Sequence, residues 1–173
     1  MFLEKIINCI DILKSEKCTI AFAEGASNGR FFNAFSSFAF SESILLGHVI
    51  AIDDHMKEYY FGVNKKILHR FGSESAEVAR IMAQKLKNYI DATIYISVTG
   101  ASAADDLLRN ENYTQSAPIF IHIQFADSEI CEEVYCNCSK TSVVEQVLAR
   151  ICELITEKLS FDGQQPLKVE EIA

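Results

Sequence analysis

A short, largely apolar run, Cys18-Thr19-Ile20-Ala21-Phe22-Ala23, leads straight into Glu24-Gly25-Ala26-Ser27-Asn28-Gly29. A run this brief, closed by a glycine-bearing turn, reads as a buried strand rather than a helix. Behind the turn, the segment from Arg30 to Phe40 continues as a helix whose phenylalanines, Phe31, Phe32, Phe35, Phe38 and Phe40, read as core. A buried strand feeding a helix through a tight turn needs a layered α/β neighbourhood to cover both. At such a turn backbone N–H groups converge on an anion or on a reacting carbonyl.

The remaining pattern agrees with an α/β class. Leu3, Ile6, Ile7, Ile10 and Leu13 form one stripe and predict a helix over Phe2 to Lys14. A long apolar strand is expected from Ile44 to Ile52, interrupted by Gly47 and His48. A short helix follows over Asp53 to Phe61 with Gly62 as its stop, then a turn over Lys65 to His69. Ser75 caps a helix to about Ile90, with Val78, Ile81, Met82, Leu86 and Tyr89 facing the core. Ile94, Ile96 and Val98 alternate as in a strand, and Ala101 to Ser116 reads as a polar loop over one end of the sheet. Ile119, Ile121, Ile123 and Phe125 alternate again, with Ile130 to Cys138 as antiparallel partner across Asp127-Ser128. Ser142-Val143-Val144-Glu145 is a capping-box pattern opening a last helix to about Leu159. The order predicts a three-layer α/β/α domain around a mixed sheet, a single domain over residues 1–160 with a flexible tail over 161–173.

The net charge of -8 argues against non-specific nucleic-acid binding, which needs a basic face, and against an anionic membrane surface. No apolar run approaches the roughly 20 residues a membrane helix needs. The opening Met1-Phe2-Leu3-Glu4-Lys5 lacks a basic leader, so a cytoplasmic location with reduced cysteines is expected. Cys131, Cys136 and Cys138 offer three thiolates, but a structural zinc site wants four ligands; ordinary packing is expected and no metal or cofactor. Asp53-Asp54-His55 reads as a helix start capped by Asp54 rather than a cation site, because three adjacent residues cannot point one way. Glu24, following an apolar strand, needs a partner, with Lys57 or Lys140 as candidates. His48 and His122 sit in apolar strands as hydrogen-bonded core or interface groups, and Asp105 and Asp106 read as solvated loop residues.

Several of these segments together are similar to one family. Ala23-Glu24-x-x-x-x-Gly29 after a strand resembles the Ala-Glu-Ser-Cys-Thr-Gly-Gly loop of the CinA C-terminal domain (competence/damage-inducible protein CinA), which includes the stand-alone nicotinamide-nucleotide amidohydrolases called PncC. Lys57 followed by Gly62-Val63 matches the family's Tyr-Ser-Asn-x-x-Lys…Gly-Val segment. Phe71-Gly72-Ser73-Glu74-Ser75 before a helix matches its Gly-Ala-Val-Ser-Glu segment, and Ser97-Val98-Thr99-Gly100 its Ser/Thr-Gly turn. The last helix after Ser139-Lys140-Thr141 falls where the family has Gly-Asp-Arg. The resemblance spans about Phe2 to Leu159. It implies the CinA C-terminal fold and a chemistry that hydrolyses the amide of nicotinamide mononucleotide, a step of NAD metabolism, with a serine and a lysine. A lysine in a partly desolvated pocket can take the serine proton and then assist the leaving amine, while backbone donors hold the oxyanion.

The chain departs from that pattern at its centre. The family's nucleophilic serine aligns with Gly25, its tyrosine with Ile52, its serine and asparagine with Asp53 and Asp54, and its arginine with Lys140, which lacks the bidentate fork. Ser102-Ala103-Ala104-Asp105-Asp106 replaces the Gly-Pro-x-Gly-Gly loop, and the Pro-Val-Gly-Thr strand entry survives only as Ala117-Pro118-Ile119-Phe120. The resemblance therefore implies a pseudoenzyme that keeps at most a nucleotide or phosphate pocket formed by Glu24, Gly25, Ala26, Ser27, Asn28, Gly29, Lys57, Thr99, Gly100 and Lys140. Two alternatives stand beside it: an active amide hydrolase using Ser27 or water with Lys57, and a structural or protein-interaction domain. Ser27 reads first as a helix cap, and Lys57 as an anion binder, a surface lysine or a stranded base. The family also implies a homo-oligomer.

Overall fold

The computed structural model describes residues 2–25, 27–38, 43–100, 118–136 and 143–162. In chain order these form α1 (Phe2–Ser15), β1 (Ile20–Glu24), α2 (Arg30–Ser36), β2 (Leu45–Ile50), α3 (Asp54–Phe61), α4 (Lys65–Phe71) and α5 (Ala76–Leu86). Then come β3 (Ile94–Thr99), β4 (Ile119–Gln124), β5 (Glu129–Val134) and α6 (Val143–Asp162). The strands make one five-stranded sheet in the order β2-β1-β3-β4-β5. β1 runs parallel to β2 and β3, while β4 runs antiparallel to both of its neighbours, β3 and β5, so the sheet is mixed as expected.

Strand parity decides which helices cover which face. Ile20 and Phe22 point with Ile94, Ile96, Val98, Ile119, Ile121 and Ile123 into a core closed by α1, α2 and α6. Phe22 is fully buried there and contributes on the order of 3–5 kcal/mol relative to alanine. Ala21 and Ala23 point the other way, into a second core with Phe61, Leu68, Val78, Met82 and Leu86 from α3, α4 and α5. The small side chains of β1 on this side leave room for α5 to lie close. The three layers are thus helices, sheet and helices.

The local readings hold in part. Asp53, not Asp54, caps α3: its backbone is extended and its carboxylate accepts from the Met56 N–H at 2.8 Å. Asp54 is the first helical residue, where its charge suits the positive helix end. Ser75 caps α5 as expected, accepting from the Val78 N–H. The helix ends at Leu86 rather than Ile90, because Tyr89 N–H turns back to the Leu86 carbonyl. Tyr89 consequently leaves the buried stripe and stands half exposed, its hydroxyl on the Tyr60 carbonyl. Gly62 ends α3, and the 65–69 turn is the longer helix α4. β2 is an edge strand and shorter than the apolar run suggested, with Leu46 and Ile52 exposed. Phe31 and Phe35 are buried in the core and Phe32 and Phe38 partly so. Phe40, the 101–116 loop, Ser142 with its capping box, Cys138 and residues 163–173 lie outside the described residues. Among the described residues no helix is long and apolar enough to cross a membrane.

Candidate functional site

The end of β1 sends two consecutive residues to opposite faces of the sheet, and each builds its own cluster. Glu24 continues the Ile20–Phe22 side and is fully buried beneath α2. Its carboxylate accepts from the Ser27 hydroxyl at 2.6 Å and from the Phe31 and Phe32 N–H groups at 3.3 and 2.8 Å. These are free donors of the first turn of α2, which a capping side chain normally satisfies. The residue at the cap position is Gly29, in a left-handed conformation (φ 79°) and without a side chain to offer. A carboxylate from the neighbouring strand performs the capping instead, at the helix end where negative charge is favoured.

Gly25 faces the other side, towards α3 and α5. A Cβ placed on it would lie 3.1 and 3.3 Å from the two carboxylate oxygens of Glu74. That carboxylate is held at both oxygens: Lys57 Nζ donates to Oε1 at 2.5 Å, and Gly100 N–H donates to Oε2 at 2.5 Å. Lys57 rises from the middle of α3 and is 0% exposed, whereas the Glu74 side chain retains 25% exposure. Lys57 also donates to the Ser73 hydroxyl at 2.8 Å and the Ser73 carbonyl at 3.0 Å. An ammonium has three protons, and here three acceptors take them. A buried charge paired and hydrogen-bonded in this way is structurally satisfied. The carboxylate seat is completed by the β3 end. Gly100 turns with φ 86°, and a side chain there would collide with the Pro118 carbonyl. The preceding Thr99 hydroxyl, fully buried, donates to the Ser75 carbonyl at 3.0 Å and ties this turn to the start of α5.

The structure therefore redistributes the sequence candidates. Glu24 does not pair with Lys57, because strand parity puts them on opposite faces; Lys57 takes Glu74. Ser27 does not cap α2, since its hydroxyl donates to Glu24 and both groups are buried. Lys57 is no surface lysine. The turn after β1 is not a ring of free donors: Gly25 N–H donates to the Val98 carbonyl at 3.0 Å, and Arg30 N–H to the Ser27 carbonyl at 3.2 Å. Asn28 adopts a left-handed backbone (φ 55°) next to Gly29. Gly25, Lys57 and Gly100 do come together; Ala26 and Lys140 lie outside the described residues. Sequence reasoning missed Ser73 and Glu74. The available signal was their place in the Gly72–Ser75 segment, where the family it resembles has Ala and Val between the Gly and the Ser.

A second polar cluster lies across β4 and β5. His122, 1% exposed, brings Nδ1 to 3.0 Å from Cys131 Sγ and Nε2 to 3.5 Å from a Glu129 oxygen. Burial lowers the imidazole's proton affinity and outweighs the attraction of Glu129. Burial, followed by Glu129, also pushes the Cys131 thiol up, away from an activated nucleophile. His48, by contrast, is half-buried and packs its ring over Phe32, 4.0 Å between centroids.

Comparison with known proteins places this geometry. The CinA C-terminal domain model matches residues 4–159. A competence-damage inducible protein of Bacillus cereus (strain ATCC 14579) is 32% identical over 118 residues, which is 68% of this chain and 28% of that protein. A second from Bacillus cereus (strain G9842) is 33% identical over 96 residues, 56% of this chain and 23% of its own length. The chain thus spans under a third of the length of these curated relatives. Among solved structures, a CinA superfamily protein from Klebsiella pneumoniae superposes with a TM-score of 0.77 at 17% identity, covering 93% of this chain and 99% of that one. A competence or damage-inducible protein from Enterobacter asburiae gives 0.76 at 17% identity, covering 92% and 98%. At such identity these two speak for the fold alone.

Proposed function

The chain belongs to the CinA C-terminal domain family, and from that membership we propose that it is a non-hydrolytic, pseudoenzyme member whose pocket binds a small anionic ligand, such as a pyridine nucleotide or a part of one. The observation that supports this is the state of Lys57. A lysine that serves as base must have a vacancy for a proton, whereas all three donors of this one are engaged, the strongest by the Glu74 carboxylate. On this reading Gly25 stands at the family's nucleophile position, and a Cβ there would meet the Glu74 carboxylate. The family reaction would need both groups. The domain acts in a cytoplasmic, homo-oligomeric setting under this reading, without nucleic acid or membrane as partner.

Incubation with nicotinamide mononucleotide and measurement of ammonia tests the reading. Wild type is expected to release none above a no-protein control. Release that disappears in Lys57→Ala refutes it.

One observation favours a second reading, an active amide hydrolase in which another hydroxyl serves Lys57. Ser73 Oγ stands 2.8 Å from Lys57 Nζ, whereas the Ser27 hydroxyl is engaged by Glu24. In that case ammonia release would be present in wild type and in Ser27→Ala, and absent in Ser73→Ala. If neither ammonia release nor ligand-dependent stabilisation is found across mono- and dinucleotides, a structural or protein-interaction role is the reading left.

A further inference from the structure

We propose that the seat bounded by Gly25, Lys57 and Gly100 is a carboxylate-binding site whose resident ligand is the chain's own Glu74, and that a small external carboxylate occupies it by displacing that side chain. This rests on the reading above that the pocket binds rather than cleaves, and it names the ligand chemistry of that pocket.

The seat has the features of a built anion site. Its basic group, Lys57, is 0% exposed and cut off from bulk water, so an anion beside it is the partner that best offsets its burial. Its second donor, Gly100 N–H, projects from a left-handed turn that only glycine adopts without collision at this place. The donors are divided one to each carboxylate oxygen, which suits a planar O–C–O group. Gly25 supplies the remaining wall, and its missing side chain is what gives the carboxylate room.

Glu74 behaves there as a ligand more than as part of the frame. It lies between α4 and α5, outside both helices, and its carboxylate is the part that is anchored. It is also the partly exposed partner of the pair, placed between Lys57 and solvent. An incoming carboxylate would therefore meet the group it replaces first, and would inherit both donors when Glu74 swings out. A phosphate is a poorer guest. It would bring additional anionic oxygens towards the Ser73 carbonyl, itself an acceptor 3.0 Å from Lys57 Nζ, and among the described residues the hydrogen bonds around the seat offer them only the Ser73 hydroxyl as a further donor.

The test is chemical replacement of the resident ligand. Glu74→Ala is titrated with sodium formate, with sodium chloride at matched ionic strength as control, and thermal unfolding is followed. The expected result is a rise in Tm that grows with the logarithm of formate concentration above its Kd and reaches about 5 °C at roughly thirtyfold the Kd, as binding to the folded state alone requires. Wild type, its seat filled, should respond at least about tenfold more weakly in formate concentration. Lys57→Met/Glu74→Ala should lose the formate response entirely. Inorganic phosphate should stabilise Glu74→Ala less than formate at equal concentration. Equal responses of wild type and Glu74→Ala, a response that survives in the double variant, or phosphate outperforming formate would each overturn the proposal. If Glu74→Ala does not fold, Glu74→Gln is read in the same assay, since a neutral amide competes less well for Lys57 than a carboxylate; a Glu74→Gln response no greater than wild type overturns it equally. Ammonia release from nicotinamide mononucleotide by wild type would defeat the non-hydrolytic reading without touching these binding outcomes, so the two failures are separable.

Discussion

Introducing alanine at position 25 is the sharpest probe of the arrangement, because the new methyl group and the Glu74 carboxylate require the same space. The added Cβ would sit 3.1 and 3.3 Å from the two oxygens, closer than ordinary contact allows. A free glutamate would swing aside cheaply. This one is pinned at both oxygens by Lys57 and Gly100, so a shift of a few tenths of an ångström stretches two charge-assisted hydrogen bonds at once. Gly25→Ala should therefore cost about 1–2 kcal/mol, in the range of overpacking. Glu74→Ala leaves Lys57 buried beside the Ser73 oxygens alone. Breaking a buried pair costs about 3–5 kcal/mol, and the partial exposure of Glu74 together with the two remaining acceptors brings the expectation to about 2 kcal/mol. In the Glu74→Ala background the same Gly25→Ala change meets no atom closer than ordinary van der Waals contact. No left-handed backbone opposes it, and it should be neutral or stabilising by about 0.5 kcal/mol through the unfolded chain. The sign of the Gly25→Ala effect thus reverses, and the coupling energy from a four-protein urea series should be about 2 kcal/mol. Additivity within about 0.5 kcal/mol would show that Gly25 and Glu74 do not share one space, and the account of the seat would fall.

Two further outcomes follow from the neighbouring clusters. His122 is buried with its proton affinity lowered by burial, so the unfolded chain binds a proton there more readily than the folded one. Its contribution to stability is fully present above the unfolded value of about 6.5 and is lost as pH falls below it. The urea midpoint of wild type should accordingly drop more between pH 7.5 and 5.5 than that of His122→Gln; parallel profiles would contradict this. On the other face, Glu24→Ala strands the Ser27 hydroxyl and two N–H groups of α2 and should cost about 3 kcal/mol or more, while Ser27→Ala removes one hydrogen bond and should cost about 1 kcal/mol. Equal costs in equilibrium unfolding would mean that Glu24 does not cap α2.

How far the chain could be read without coordinates depended on whether a feature was local. The alternation in Ile94–Val98 and Ile119–Phe125 follows from the period of one element and appears where expected, whereas the α1 stripe holds for Ile6, Ile10 and Leu13 but not for Leu3 and Ile7, which stand exposed while Cys9 takes a place in the core. The caps Ser75 and Gly62 are equally local. Misplaced features were those set by a competition between neighbours. Asp53 and Asp54 are both good caps, and only the extended backbone of Asp53 settles which one serves. Tyr89 continues the helical period of α5, yet the chain turns after Leu86 and carries it outward. The partner of Lys57 was the least legible. It lies on a different connection, and no periodicity links residues 57 and 74.

Parity of a single strand unites the two halves of the site. Had β1 paired one residue out of register, Glu24 would face α3 and α5, and Gly25 would face α2. Because it does not, the carboxylate beside the glycine loop is committed to holding α2, and it cannot serve as the counter-charge of Lys57. A buried lysine on the opposite face must then find its anion elsewhere, and with glycine at position 25 the nearest opening admits a side chain from the α4–α5 connection. The absence of a side chain at 25 and the presence of a carboxylate at 74 are, on this reasoning, two parts of one arrangement. The physical consequence is specific: introducing a hydroxyl by Gly25→Ser alone places its Cβ against a pinned carboxylate and leaves Lys57 engaged by it. Gly25→Ser/Glu74→Ala removes both obstacles. If any variant of this chain releases ammonia from nicotinamide mononucleotide, it should be that double variant and not Gly25→Ser. Activity in the single variant would show that the Glu74 pairing does not keep Lys57 out of the reaction.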